Sequence, residues 1–249
     1  MNQIDVAVHE SPDERLPRYQ QLRDDLIRRI GAGEWAPEQA IATEAELSQG
    51  YQVSIGTLRK AIDLLVADGV LTRSQGKGTF VRRPSFDSSL FRFFRFKSRS
   101  GEVVMPSAKI LNREVVSPDE TVRSALRLEP RERAIHLSRV RMIDSEPVLS
   151  EEIWVPREGF EPLAKLELDQ FGDLLYPLYE KVCKQMVATA TESLEVEQAD
   201  QSIALLLRIP VRSPVILVHR TALDFAGKPL EWRSTRGAAA GFQYQIEIR

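Results

Sequence analysis

Residues 43–81 read TEAELSQGYQVSIGTLRKAIDLLVADGVLTRSQGKGTFV, and the order of signals in this stretch decides the fold of the first part of the chain. Thr43-Glu44-Ala45-Glu46 is a capping box, in which a hydroxyl and a carboxylate three positions apart satisfy free backbone N–H groups at a helix start. That helix is short, with Gly50 as its expected stop. Ser54 can cap a further helix whose Leu58, Ala61, Ile62, Leu65 and Val66 recur on one side, closed by Gly69. Val70–Arg73 and Thr79–Arg82 are short extended runs around the turn Ser74–Gly78, the pattern of a β-hairpin. Upstream, Tyr19, Leu22, Leu26, Ile27 and Ile30 share one face of a helix that starts at Pro17 and ends at Gly31–Gly33. Three helices followed by a hairpin describe a winged helix-turn-helix.

The chain around this stretch divides by character. Residues 1–16 are polar and expected to be a flexible N-terminus, 17–83 form the winged helix-turn-helix, and 84–100 are a linker. Residues 101–249 alternate with period two between helical segments, which predicts an α+β domain with an antiparallel sheet. Strands are expected near 107–116, 133–143, 147–155, 187–196, 214–225 and 242–248, with helices over 163–168, 171–183 and 200–208. Ser117-Pro118-Asp119-Glu120 reads as a second capping box opening a helix through Leu126.

Composition sets the outer limits. The 249 residues carry 34 Lys+Arg against 36 Asp+Glu, so bulk charge alone does not attach the chain to nucleic acid or to an anionic membrane. Segment 54–83 is different: Arg59, Lys60, Arg73, Lys77, Arg82 and Arg83 face only Asp63 and Asp68. The one cysteine, Cys183, follows an apolar run and excludes an intrachain disulfide framework. The start of the chain lacks the pattern of a signal peptide, and the apolar runs fall short of the roughly 20 residues that span a bilayer. The expectation is a reduced, cytoplasmic chain without a membrane partner. His9, His136 and His219 are isolated, and neither a phosphate loop nor a metal-ligand spacing occurs, so no cofactor, metal or catalytic residue is expected.

A helix-turn-helix places the start of its second helix in the major groove. The outward residues there are Ile55, Gly56, Thr57, Arg59 and Lys60. Threonine can bond a base or a phosphate, arginine can clasp guanine, lysine can neutralise phosphate, and an apolar side chain can meet a thymine methyl group. As an isolated pair Arg59 and Lys60 could equally be solvated helix-face charges; the capping box, glycine stop and Gln-Gly-Lys-Gly turn in sequence favour the DNA-reading alternative.

These motifs resemble the GntR family of bacterial transcription regulators. The resemblance rests on Pro17–Leu22, Thr43–Leu47, Val53–Leu65 and the wing Gln75-Gly76-Lys77-Gly78-Thr79-Phe80-Val81. It implies that Thr57 and Arg59 contact an operator, that Thr43 holds a phosphate, and that Lys77 and Gly78 enter the minor groove. Where the family usually has arginine this chain has Ala45, and it has Ile55 where arginine or a polar residue is common.

In the second half, Ile135, Leu137, Arg139, Arg141 and Ile143 are expected to share one strand face, and Leu149, Glu151, Ile153 and Val155 one face of the next strand. Charges among apolar neighbours need partners. Two readings stand: an internal Arg–Glu pair supporting the hairpin, or a pocket whose guanidinium groups hold an anion. This half is similar to the UTRA ligand-sensing domain of the HutC branch, whose fold is like that of chorismate lyase. The matching stretches are Leu137–Arg141, Glu146-Pro147, Glu151–Pro156 and Gly227–Glu231. The resemblance implies that Arg139 and Arg141 bind an effector's anionic group, that Glu151 and Glu231 bind its polar groups, and that Tyr176 lines the pocket. Members that sense sugar phosphates offer small hydroxyl residues about where this chain has Phe93, Phe94 and Leu174, and the family's ending appears here as Arg236-Gly237-Ala238-Ala239-Ala240, without its tyrosine. Phe93 is therefore expected to line a more apolar pocket suited to a carboxylate, unless the phenylalanine run simply packs the linker.

The expected protein is a homodimeric, ligand-responsive repressor reading a two-fold operator in double-stranded DNA. The alternatives are a sugar-phosphate sensor, a regulator that represses constitutively, and a lyase-like enzyme fused to a DNA-binding domain with Arg139, Arg141 and Glu151 catalytic.

Overall fold

A computed structural model describes residues 16–82 and 105–242, and the chain divides into two units at the Pro84–Ser85 junction. The first unit contains α1 (Arg18–Gly31), α2 (Glu44–Tyr51), α3 (Ile55–Ala67) and the hairpin of β1 (Leu71–Ser74) and β2 (Gly78–Val81). Thr43 and Ser54 cap α2 and α3 as their sequences require: Thr43 forms the complete box with Glu46, and the Ser54 hydroxyl accepts from the Thr57 backbone N–H. Gly50 lies inside α2; the left-handed residue that stops the helix is Gln52, with φ 54°. Leu26, Ile30, Leu58, Ala61, Leu65 and Val81 are wholly enclosed, so the apolar stripes of α1 and α3 close on each other and on the hairpin. The wing is braced from behind, because Ile41 donates to the Thr79 carbonyl and Val81 to that of Gln39.

The second unit is built on β3 (Ser107–Val116), β4 (Ala134–Ile143), β5 (Glu146–Pro156), β6 (Thr189–Gln198), β7 (Pro214–Leu223) and β8 (Pro229–Ala238). All neighbours are antiparallel, in the order β3-β4-β5-β8-β7-β6. The helices are α4 (Glu120–Leu126), α5 (Leu175–Leu178, continued by a wider turn over Tyr179–Cys183) and α6 (Gln201–Leu207). One face of the sheet packs Ile135, Leu137, Ile153 and Val155 against Phe160, Leu163, Phe171, Leu175 and Tyr179. The fold is α+β, an N-terminal winged helix-turn-helix followed by an antiparallel-sheet domain.

Several local expectations change. Residues 229–238 form a strand that periodicity does not announce, because β8 buries Glu231 and Arg233 where a strand ordinarily buries apolar side chains. The cap of α4 is Asp119, whose carboxylate accepts from Val122 N at 2.8 Å, so Ser117 does not open the helix. Segment 163–168 is not a helix: short 3₁₀ turns occupy Glu161–Ala164 and Leu168–Gln170. The helix expected over 171–183 starts at Leu175. The strand expected at 242–248 lies outside the described residues, apart from Phe242, as do the linker and Phe93.

Candidate functional site

On the first unit, the start of α3 and the hairpin turn are exposed. Ile55 is 44% exposed, a large apolar side chain facing water at the first position of α3. Thr57 is held at the start of the same helix, its hydroxyl 2.9 Å from that of Ser54. Arg59 points outward but is engaged: its Nε donates to Glu44 Oε2 at 2.7 Å. Arg73 reaches the same carboxylate at 3.4 Å and Asp63 at 2.5 Å. Lys60 turns toward α1, its Nζ 3.9 Å from the centre of the Tyr19 ring. Lys77 is exposed at the tip between Gly76 and Gly78, which adopt φ of 72° and 125°. The Thr43 hydroxyl is committed to its cap, donating to Glu46 Oε2 at 2.8 Å while accepting from Glu46 N at 3.3 Å. A phosphate at Thr43 would compete with that carboxylate.

On the second unit, sheet register brings the charged residues into one buried cluster. Arg139 of β4 lies directly opposite Glu151 of β5, and Arg233 of β8 lies opposite both Ile153 of β5 and Arg220 of β7. Glu151 is wholly enclosed and takes three guanidinium groups: Arg139 Nε at 2.6 Å, Arg141 Nε at 3.1 Å and Arg233 Nη1 at 3.2 Å. Arg233 Nη2 donates to Glu231 Oε2 at 2.7 Å. Tyr179 donates to the same oxygen at 2.7 Å, and the Tyr176 hydroxyl lies 3.2 Å from Glu231 Oε1. Arg220 reaches Tyr176 at 3.4 Å and Glu192 at 2.7 Å. Arg141 is anchored further by the carbonyls of Pro106 and Asp173, each at 3.3 Å.

Electrostatics follow from this crowding. Burial alone would raise the Glu151 carboxyl, but Arg139, Arg141 and Arg233 outweigh it and hold Glu151 ionised far below the usual carboxylate range. Burial lowers Arg141 to about 10, with Arg139 and Arg233 adding to the shift and Glu151 opposing it. Burial and the neighbouring Glu231 push Tyr176 up to about 12 and hold Tyr179 well above its ordinary value, so both remain hydroxyl donors. Arg139, Arg141 and Arg233 face Glu151 and Glu231, and the excess is one positive charge. The terminal nitrogens Nη1 and Nη2 of Arg139 are buried and have no partner among the described residues. A buried donor left unmade costs about 1–3 kcal/mol, and this residue carries two.

Sequence reasoning named Arg139, Arg141, Glu151, Tyr176 and Glu231, and the structure brings all five together. It missed Arg233, Tyr179 and Arg220. Arg233 stands two positions from Glu231 and therefore on the same strand face, a signal that becomes usable once 229–238 is recognised as a strand. Among the described residues no cluster of His, Cys, Asp and Glu could hold a metal, and no helix is long and apolar enough to cross a membrane.

Comparison with known proteins accounts for both units. The gntR family model of bacterial regulatory proteins matches residues 18–81, and the UTRA domain model matches 102–243. The chain is 30% identical over 215 residues to the Escherichia coli (strain K12) protein named "Probable fructoselysine utilization operon transcriptional repressor", covering 85% of this chain and 86% of that one. It is 27% identical to the mannosyl-D-glycerate transport/metabolism system repressor MngR of the same strain, covering 80% of this chain and 82% of that one. It is also 27% identical to the HTH-type transcriptional repressor NagR of Bacillus subtilis (strain 168), covering 83% and 84%. Among solved structures, PhnF from Mycobacterium smegmatis aligns with a TM-score of 0.53 at 18% identity, over 92% of this chain and 99% of that one, and shares the fold. These relatives are named as repressors, which indicates a regulator rather than an enzyme. The chain belongs to the gntR family of bacterial regulatory proteins and is a DNA-binding transcriptional repressor with a UTRA domain.

Proposed function

We propose that this repressor releases or alters its hold on the operator when a small anionic metabolite, a carboxylate, binds beside Arg139. The observation that carries the reading is the pair of buried, unpartnered nitrogens on Arg139 in a cluster with one surplus positive charge. A planar guanidinium edge presents two parallel donors that match the two oxygens of a carboxylate. Glu231, Tyr176 and Tyr179 supply acceptor and hydroxyl groups for the rest of the molecule. Two relatives are named for fructoselysine utilization and for mannosyl-D-glycerate transport and metabolism, and both compounds carry a carboxylate apart from the sugar linkage. The outward Thr57, Arg59, Lys77 and Gly78 would contact DNA, with Ile55 reading a thymine methyl group. Lys60 would contribute through its charge while resting on Tyr19, and Thr43 by approaching a phosphate. Phe93, outside the described residues, would add apolar lining to the effector pocket. The protein would act in the cytoplasm as a homodimer of the HutC branch on a two-fold operator.

The test is calorimetric titration of the full chain with aliphatic, aromatic and hydroxylated carboxylic acids and with sugar phosphates, followed by operator-binding assays with each ligand that binds. Binding of a carboxylate, with a change in operator affinity, is the expected result. Binding of sugar phosphates alone overturns the effector class, and turnover of a ligand to product overturns the assignment of a purely regulatory domain.

A further inference from the structure

A second basic recess lies away from the buried cluster. Three connections meet at one end of the large sheet: the loop from α4 into β4, the exit of β5, and the turn between β7 and β8. They enclose a groove of about 560 Å³, within the range of roughly 300–1,000 Å³ typical of small-molecule sites. Its cations are Arg127, Arg131, Arg133, Arg157 and Lys228, against Glu132, Glu158 and Glu161, a surplus of two positive charges. Leu126, Leu128, Pro156 and Pro229 supply apolar wall.

What separates this groove from an ordinary charged surface is how its charges are used. Arg127 donates to the Gly227 carbonyl at 3.1 Å, and Arg133 to that of Val115, so both serve to join loops. Among the described residues the side chains of Arg131, Arg157 and Lys228 have no hydrogen-bond or ion-pair partner, although three carboxylates line the same groove. One of those, Glu132, is turned to the backbone N–H of Glu129 at 2.5 Å. The walls are also fixed in advance. Asp224 Oδ1 accepts from Ala226 N and Lys228 N, both at 2.8 Å, which sets the β7–β8 turn. Arg157 N donates to the Arg133 carbonyl at 2.9 Å, which ties the end of β5 to the approach to β4. Preformed walls with uncommitted donors are what a ligand meets at least ordering cost.

We propose that this groove is a second anion site that takes a phosphate monoester, separate from the buried Arg139 cluster. A monoester is dianionic near neutral pH, matching the surplus of two. Its tetrahedral oxygens suit the donors that two arginines and a lysine place along one groove, and its organic part would lie on the leucine and proline wall.

The experiment titrates the full-length protein with phenyl phosphate and with inorganic phosphate at fixed ionic strength, following heat release. Wild type should bind phenyl phosphate more tightly than inorganic phosphate. Arg131→Ala with Arg157→Ala, both at exposed positions, should weaken binding by about tenfold or more, about 1.4 kcal/mol. Lys228→Gln should weaken it to a smaller extent, and Arg139→Met should leave it unchanged. Absence of binding, or binding that survives the double replacement, overturns the site. Loss in Arg139→Met would assign the phosphate to the buried cluster instead. Equal binding of the two probes removes the ester from the proposal, and displacement only by double-stranded DNA would make the groove a nucleic-acid surface.

Discussion

Replacing Arg139 with methionine should leave the second unit as stable as before or make it more stable, while abolishing its response to an anion. The substitution keeps an unbranched stem among the core side chains and removes the guanidinium. What is lost is one buried charge-assisted bond, from Nε to Glu151 at 2.6 Å, worth about 1.5–3 kcal/mol. What is relieved is the burial of Nη1 and Nη2 without acceptors, about 1–3 kcal/mol each. Glu151 keeps Arg141 at 3.1 Å and Arg233 at 3.2 Å, so no carboxylate is stranded. The cluster moves from three cations against two anions to two against two. The balance runs from about 1 kcal/mol against the variant to about 4.5 kcal/mol in its favour, centred on a gain of about 2 kcal/mol, in line with the replacement of other buried ion clusters by apolar groups. Thermal and chemical unfolding of the full chain measure it, at about 2–4 °C per kcal/mol for a domain of this size. Glu151→Gln is the opposite perturbation: it strips three guanidinium groups of their shared partner and should cost about 3–5 kcal/mol. If Arg139→Met instead costs as much as Glu151→Gln, Arg139 is a structural strut and the argument from its free nitrogens is wrong.

Other consequences concern both units. His136 is partly buried between Glu152 and Glu114; burial opposes its charged form, but the two carboxylates outweigh it and raise its pKa above the usual 6.5. Its stabilising contribution is therefore complete below about pH 6.5 and fades as pH rises through the folded-state value, a slope that His136→Asn should remove from a plot of unfolding free energy against pH. Thr43→Ala dismantles the capping box of α2 and should lower the stability of the first unit by about 0.5–2 kcal/mol, seen as a lower denaturation midpoint; an unchanged midpoint would show that the cap carries no weight. Glu44→Gln frees Arg59 from a half-buried carboxylate, a pair worth about 0–1 kcal/mol, while Arg73 keeps Asp63. Operator affinity should rise by up to about fivefold at low salt with a weaker gain at high salt, and a fall would mean that Glu44 positions Arg59 for DNA instead of holding it back.

Much of the first unit can be read locally because its determinants are local. Caps, a glycine stop and a two-strand hairpin act over three to five residues, and Thr43, Ser54 and Gly69 sit in the structure where those rules put them. Helix ends are less legible than helix interiors: Gln52 rather than Gly50 ends α2, and Asp119 rather than Ser117 caps α4. In the second unit the alternation of β4 and β5 was enough to put Arg139 and Arg141 on the face that meets Glu151. Strand β8 was not legible, since Glu231 and Arg233 interrupt the apolar pattern by which a buried strand is recognised.

By itself the sequence determined the two-unit plan, the DNA-reading motif and the identity of the charged residues on the core face of the sheet, because short-range periodicity and capping chemistry encode all three. The tertiary structure alone decided the insertion of β8 between β5 and β7, which carries Arg233 to Glu151 and Glu231 to Tyr179. It also decided that Arg59 rests on Glu44, that Lys60 rests on Tyr19, and that Arg139 ends in donors with nothing to hold. Whether a charged group is paired depends on what other strands and helices bring to it from tens of residues away, and no local pattern specifies that.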